Sequence, residues 1–94
     1  MEKLLNAGLV IANRAANEYL AGHGLKADEK ALVACLTSWV QTKFPEAMKD
    51  ARTALDCGMK QVAEQTFAAS MALAGVEAAK EAGHTLKRYN LSDM

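Results

Sequence analysis

Apolar residues return along this chain at every third or fourth position, the spacing that lays them on one side of an α-helix. In the first segment Leu4, Leu5, Leu9, Ile11, Ala12, Ala15, Ala16, Tyr19 and Leu20 share half of a helical wheel. Lys3, Asn6, Asn13, Arg14 and Asn17 take the other half. The pattern predicts a helix over about 2–21, closed by Gly22, which as the first residue past a helix can take the left-handed conformation. A second helix is predicted over about 28–43, with Asp28 as its N-cap. Leu32, Val33, Leu36, Trp39, Val40 and Phe44 form its buried side. Pro45 disfavours helical geometry at Phe44 and suits the first turn of a new helix, so the chain is expected to restart there.

Beyond Pro45 the three-four spacing continues through Met48, Ala51, Leu55, Met59, Val62, Thr66, Ala69, Leu73 and Val76. Positions 48, 55, 62, 69 and 76 repeat at seven, as do 59, 66 and 73. That repeat is what a helix packed along another helix requires. The unbroken phase argues for one helix from Pro45 to about Ala82. The glycine of Asp56-Cys57-Gly58 argues for two, since it costs ~1 kcal/mol relative to alanine inside a helix, and the compactness of a small domain favours the break. The expected fold is all-α: a small antiparallel bundle of three to four helices, at about 2–21, 28–43, 45–57 and 59–82, the last two being one if the break is absent.

A short segment recurs: Ala21-Gly22-His23-Gly24-Leu25-Lys26 returns as Ala82-Gly83-His84-Thr85-Leu86-Lys87. Both copies read as glycine-ended helices whose next leucine packs back on the last turn. From about residue 88 the tail has little to bury and is expected to fray.

Composition agrees with this reading. Apolar residues make up 51% of 94 positions, enough for one domain over 1–94 and too few for two cores. Alanine fills 19 positions and isoleucine one, so good helix formers dominate and β-branched residues are scarce. Eleven basic residues balance eleven acidic ones. That balance counts against binding nucleic acid through phosphates or a membrane through a polybasic patch, and it leaves little repulsion between copies. No stretch approaches the ~20 apolar residues of a membrane span. The apolar run from Leu4 to Ala12 is interrupted by Asn6 and lacks a basic leader, so it reads as amphipathic helix and not as a secretion signal. Cys35 and Cys57 make no disulfide framework and are expected as free thiols in a reducing cytoplasm.

Candidate chemistry is thin. His23, His84, Cys35 and Cys57 are zinc-ligand types, but no two stand at a ligand-pair spacing. Cys57 has Asp56 beside it and no histidine at local reach, an arrangement unsuited to a reactive thiolate. Cys35, at the edge of an apolar face, reads as a small core residue. Glu77, Lys80 and Glu81 read as a solvated face with local ion pairs. Asn6, Asn13 and Asn17 gather on the first helix and read as surface groups. There is no glycine-rich phosphate loop and no set of two E-x-x-H motifs of the kind that builds a di-iron site in a bundle, so neither an enzyme nor a cofactor is expected.

The last helix carries the strongest signal. Val62, Thr66, Ala69, Leu73 and Val76 line one side, while Phe67, Met71, Ala74 and Ala78 line the other. A helix that is apolar all round has to be covered on both sides. The side made by Phe67, Met71, Ala74 and Ala78 is the expected protein-interaction surface, for a second copy or a partner helix. The expectation is a non-catalytic interaction module (adaptor, inhibitor or regulatory subunit) with a protein partner or itself as a homodimer, and without nucleic acid or membrane. One alternative is a DNA-binding regulator in which the Phe44-Pro45 turn mimics a helix-turn-helix, with Lys49, Arg52 and Lys60 facing phosphate. Another is a ligand- or metal-binding bundle.

Overall fold

A computed structural model describes residues 2–85, so the tail expected to fray from about residue 88 lies outside the described residues. Three helices account for nearly all of the described chain: α1 (Glu2–Gly22), α2 (Glu29–Asp56) and α3 (Lys60–Ala82). Two-residue strands, β1 (Leu25–Lys26) and β2 (His84–Thr85), follow α1 and α3. The class is all-α, an up-down-up bundle. α3 packs most heavily on α2, then on α1, while α1 and α2 touch each other least.

α2 starts where the sequence places it. The Asp28 carboxylate accepts a hydrogen bond from the Ala31 amide at 3.2 Å, satisfying one of the free N–H groups of the first turn. The helix then runs straight through Pro45, so the expected helices at 28–43 and 45–57 are one. A buried seam of Leu32, Leu36, Val40, Ala47 and Ala51, with Phe44 packed against it, keeps helical phase across the proline. Pro45 is exposed, as is Gln41, whose carbonyl loses its donor, so water can satisfy that group. Burial of the seam offsets the ~3 kcal/mol penalty of an internal proline.

The break falls at Asp56-Cys57-Gly58. Gly58 has φ of 77°, a left-handed turn that places α3 antiparallel to α2. The helix count is therefore three, with the division at Gly58 and not at Pro45.

α1 and α3 lie side by side in the same direction. Gly8 faces Met71, Gly75 faces Ala12 and Gly83 faces Leu20, a constant offset of 63 residues. Their contact is built from small groups. A Cβ added at Gly75 would overlap the Ala12 carbonyl oxygen and stand 2.7 Å from its carbonyl carbon. Ala12, Ala16, Ala74, Ala78 and Ala79 are fully buried around this crossing. Glycine and alanine here let two backbones approach as bulkier side chains could not.

The recurrent segments close differently from expectation. α1 includes Gly22, and the left-handed residue is Gly24, with φ of 62°. Gly83 is extended instead of left-handed, so α3 has no left-handed closure at its C-terminus. The two segments leave neighbouring helix ends and pair with each other, Leu25 opposite Thr85 and Lys26 opposite His84. Half-buried Leu25 packs onto the core from this clasp. Period-two alternation over two residues is no signal at all, so the pairing could not be read from pattern.

Candidate interaction surface on the third helix

Two apolar sides of α3 compete for the interior, and the bundle takes the one made of Phe67, Met71, Ala74 and Ala78. Met71, Ala74 and Ala78 have no exposed surface, and Phe67 is half-buried, edge-on to Phe44 with ring centroids 6.0 Å apart. The surface expected on these four residues is thus occupied by α1 and α2 of the same chain. Their small neighbours explain the choice, because the Gly75 crossing lets α1 settle directly onto this side. Phe67 alone keeps a solvent-facing edge, in a cleft that it lines with Leu4, Met48, Leu55 and Ala63 at one end of the bundle.

The other side of α3 is left uncovered. Val62 is 44% exposed and Leu73 49%, with Ala69 exposed between them. Thr66 and Val76 flank this line half-buried, and Met59, just before the helix, is exposed. The face therefore carries Val62, Thr66, Ala69, Leu73 and Val76 at the spacing of a helix-packing seam, and the line ends at exposed Lys80. No charged residue occurs from Gln65 to Val76. By contrast Val10, the most exposed large apolar residue of α1, stands without such a row.

Polar chemistry clusters elsewhere and is mutually satisfied. The Trp39 indole N–H donates to the Glu81 carboxylate at 2.6 Å, joining α2 to the last turn of α3. Lys43 stands 6.0 Å from the centre of the same indole ring. Cys35 is half-buried nearby. Burial, and then the negative Glu81, raise its thiol above the ordinary range. A raised pKa means less thiolate at neutral pH, hence slow reaction. At about pH 8 a maleimide is expected to label exposed Cys57 in a fast phase and Cys35 in a slow one. Peptide mapping of early product checks this; equal rates would show Cys35 to be open.

The remaining sequence candidates do not converge. Asn17 donates to the Asn13 carbonyl at 2.9 Å, and its amide also lies 3.3 Å from the Asn13 side-chain oxygen, so this pair is engaged within α1. The His23 ring stacks on Tyr19 at 4.0 Å, and its Nδ1 bonds the Tyr19 carbonyl at 2.9 Å, which caps the end of α1. Lys80 pairs with Glu77 at 3.7 Å, as local spacing suggested. Among the described residues no three His, Cys, Asp or Glu side chains gather where they could hold a metal ion. The helix-turn-helix alternative lacks its turn, since Lys49 and Arg52 sit within the continuous α2.

No family model, curated protein or solved structure matches this chain. What the chain's own geometry offers is shape and apolar area on α3. The Trp39–Glu81 link was not singled out from sequence, because a contact 42 residues apart leaves no local trace, and the row of Val62, Thr66, Ala69, Leu73 and Val76 was read there only as the side opposite the interaction surface.

Proposed function

We propose that this chain is a non-catalytic protein–protein interaction module that docks through the outward face of α3. One observation carries the reading: a helix apolar on both sides is covered by its own chain on only one. Scattered exposed apolar residues are ordinary, but a row of them at seam spacing without a charge is the mark of a buried contact. Adaptor, inhibitor and regulatory subunit are the roles such a module fills. Unpaired thiols, one of them exposed, fit a reducing compartment such as the cytoplasm. Among the described residues no helix is long and apolar enough to cross a membrane.

The test compares the wild-type chain with the double variant Val62→Glu/Leu73→Glu, alone and in lysate of its source, by native mass spectrometry. Both positions point outward, so the variant is expected to keep its helical circular dichroism. Burying two unpaired carboxylates should weaken any assembly made through this face by about 100-fold or more. Identical assemblies from both proteins would reject the reading. An unfolded variant would place these residues in the core, against the exposure described above.

A further inference from the structure

Lys49, Arg52 and Lys60 make no DNA-reading helix, yet all three line apolar hollows at one end of the bundle. From this we infer a second site, independent of the outward face of α3. It takes a free single-chain carboxylic acid, with the alkyl chain in the bundle end and the carboxylate against the cations. Each wall comes from the end of a helix. Leu4 stands in the first turn of α1, Met48 and Leu55 in the last turns of α2, and Ala63 and Phe67 in the first turns of α3. They bound a cleft of about 270 Å³. Met48, Ala51 and Leu55 also wall a second hollow, of about 510 Å³, beside Pro45. Leu4 and Leu55 are 43% and 54% exposed, so this apolar wall is open to solvent.

Charge decides what kind of apolar molecule fits. Lys60 and Glu64 line the first cleft, and Lys49 and Arg52 the second hollow. Three cations thus face one carboxylate, a local surplus of two in a chain whose net charge is zero. Glu46, Asp50 and Asp56 of α2 line neither hollow. Among the described residues the ion pairs are Arg14–Glu18 and Lys80–Glu77, so none of the three cations is engaged. A mostly apolar wall with a few placed polar groups is the make-up of small-molecule sites. The first cleft lies just under the ~300 Å³ at which sites for drug-sized ligands begin, which suits a single alkyl chain. A partner helix would need a groove long enough for anchors along successive turns, and three meeting helix ends provide none.

Titration of the ¹⁵N-labelled chain with octanoate, 1-octanol and acetate, below micelle formation, separates the chain from the head group. Octanoate is expected to shift the amides of Leu4, Leu55, Ala63 and Phe67 saturably, and acetate to shift none. Octanol should bind at the same amides about 5-fold more weakly, since an exposed ion pair adds only a modest factor. Decanoate should bind up to about 10-fold more tightly than octanoate as two more methylenes leave water. In Lys49→Gln/Arg52→Gln/Lys60→Gln, octanoate should fall to the affinity of octanol while octanol is unchanged; all three positions are exposed, so the fold is expected to hold. Val62→Glu/Leu73→Glu should bind octanoate as the wild type does, which keeps this site apart from the docking face. Absence of saturable shifts, or equal affinity for octanoate and octanol, overturns the inference. Acetate acting as strongly as octanoate would reduce the site to an anion contact and reject the chain. Shifts centred on Val62 and Leu73 would move the acid to the outward face of α3 and reject the bundle end. Capture by phosphatidylglycerol vesicles without octanoate binding would make the hollows a membrane contact and reject a free acid as ligand.

Discussion

Gly75→Ala is expected to destabilise the bundle by about 2 kcal/mol or more, although alanine is the better helix former. The two effects oppose each other, and their sizes decide the sign. Replacing an interior helical glycine by alanine gains ~1 kcal/mol of propensity. Against this, the new methyl group would overlap the Ala12 carbonyl, which is backbone and cannot rotate away. α1 must then slide off α3 along its whole length, and forcing extra methylene-sized groups into a packed contact costs roughly 1–3 kcal/mol or more. Melting should fall by about 4–8 °C for each kcal/mol in a domain of this size. Gly22→Ala is the control, since a Cβ there meets nothing within 4 Å and the residue ends a helix without left-handed geometry. That variant is expected to gain a few tenths to about 1 kcal/mol. If both variants shift melting alike, the close crossing of α1 and α3 is wrong.

Met71→Ala should cost more, about 2–5 kcal/mol, as a long side chain with no exposed surface is cut to a methyl group. Met71 fills the space above Gly8, where its Sδ lies 2.6 Å from the site of an added Cβ. The chain holds one other fully buried large side chain, Val40, among the described residues, so the core has little to spare. Urea denaturation gives the value through a lowered midpoint at unchanged slope. Leu73→Ala, two residues away on the outward side, should change monomer stability by about 0.5 kcal/mol or less. Equal losses at 71 and 73 would mean that both sides of α3 are covered within one chain.

These paired substitutions mark where sequence pattern stops being informative. Helix class, the Asp28 cap and the break at Gly58 were all legible, because propensity, capping and turn chemistry act within a few residues of one another. Pro45 misled because its local rule is outweighed by a seam running from Leu32 to Ala51, which only a whole-helix view of phase reveals. The interior side of α3 was not legible for a different reason. Phe67-Met71-Ala74-Ala78 and Val62-Thr66-Ala69-Leu73 have the same spacing and nearly the same polarity, so periodicity cannot rank them. What ranks them is Gly75 and Gly8, whose value lies in how near another backbone comes. The clasp of β1 with β2 and the bond from Trp39 to Glu81 join residues far apart in sequence, and no single window contains either.

The 63-residue offset between α1 and α3 also predicts an order of assembly. α2 and α3 are separated by a three-residue turn at Gly58, so their hairpin closes with little loss of chain entropy, whereas α1 must close a loop spanning most of the chain. α1 is then expected to be the last helix to dock and the first to leave, which hydrogen exchange earliest in α1 would check. When it leaves, it uncovers Met71 and Ala74 beside the already exposed Leu73, turning α3 for that moment into a helix that is sticky on both flanks. On that order, the glycine–alanine crossing that lets α1 lie so close is expected to shorten the time for which both flanks are open to aggregation.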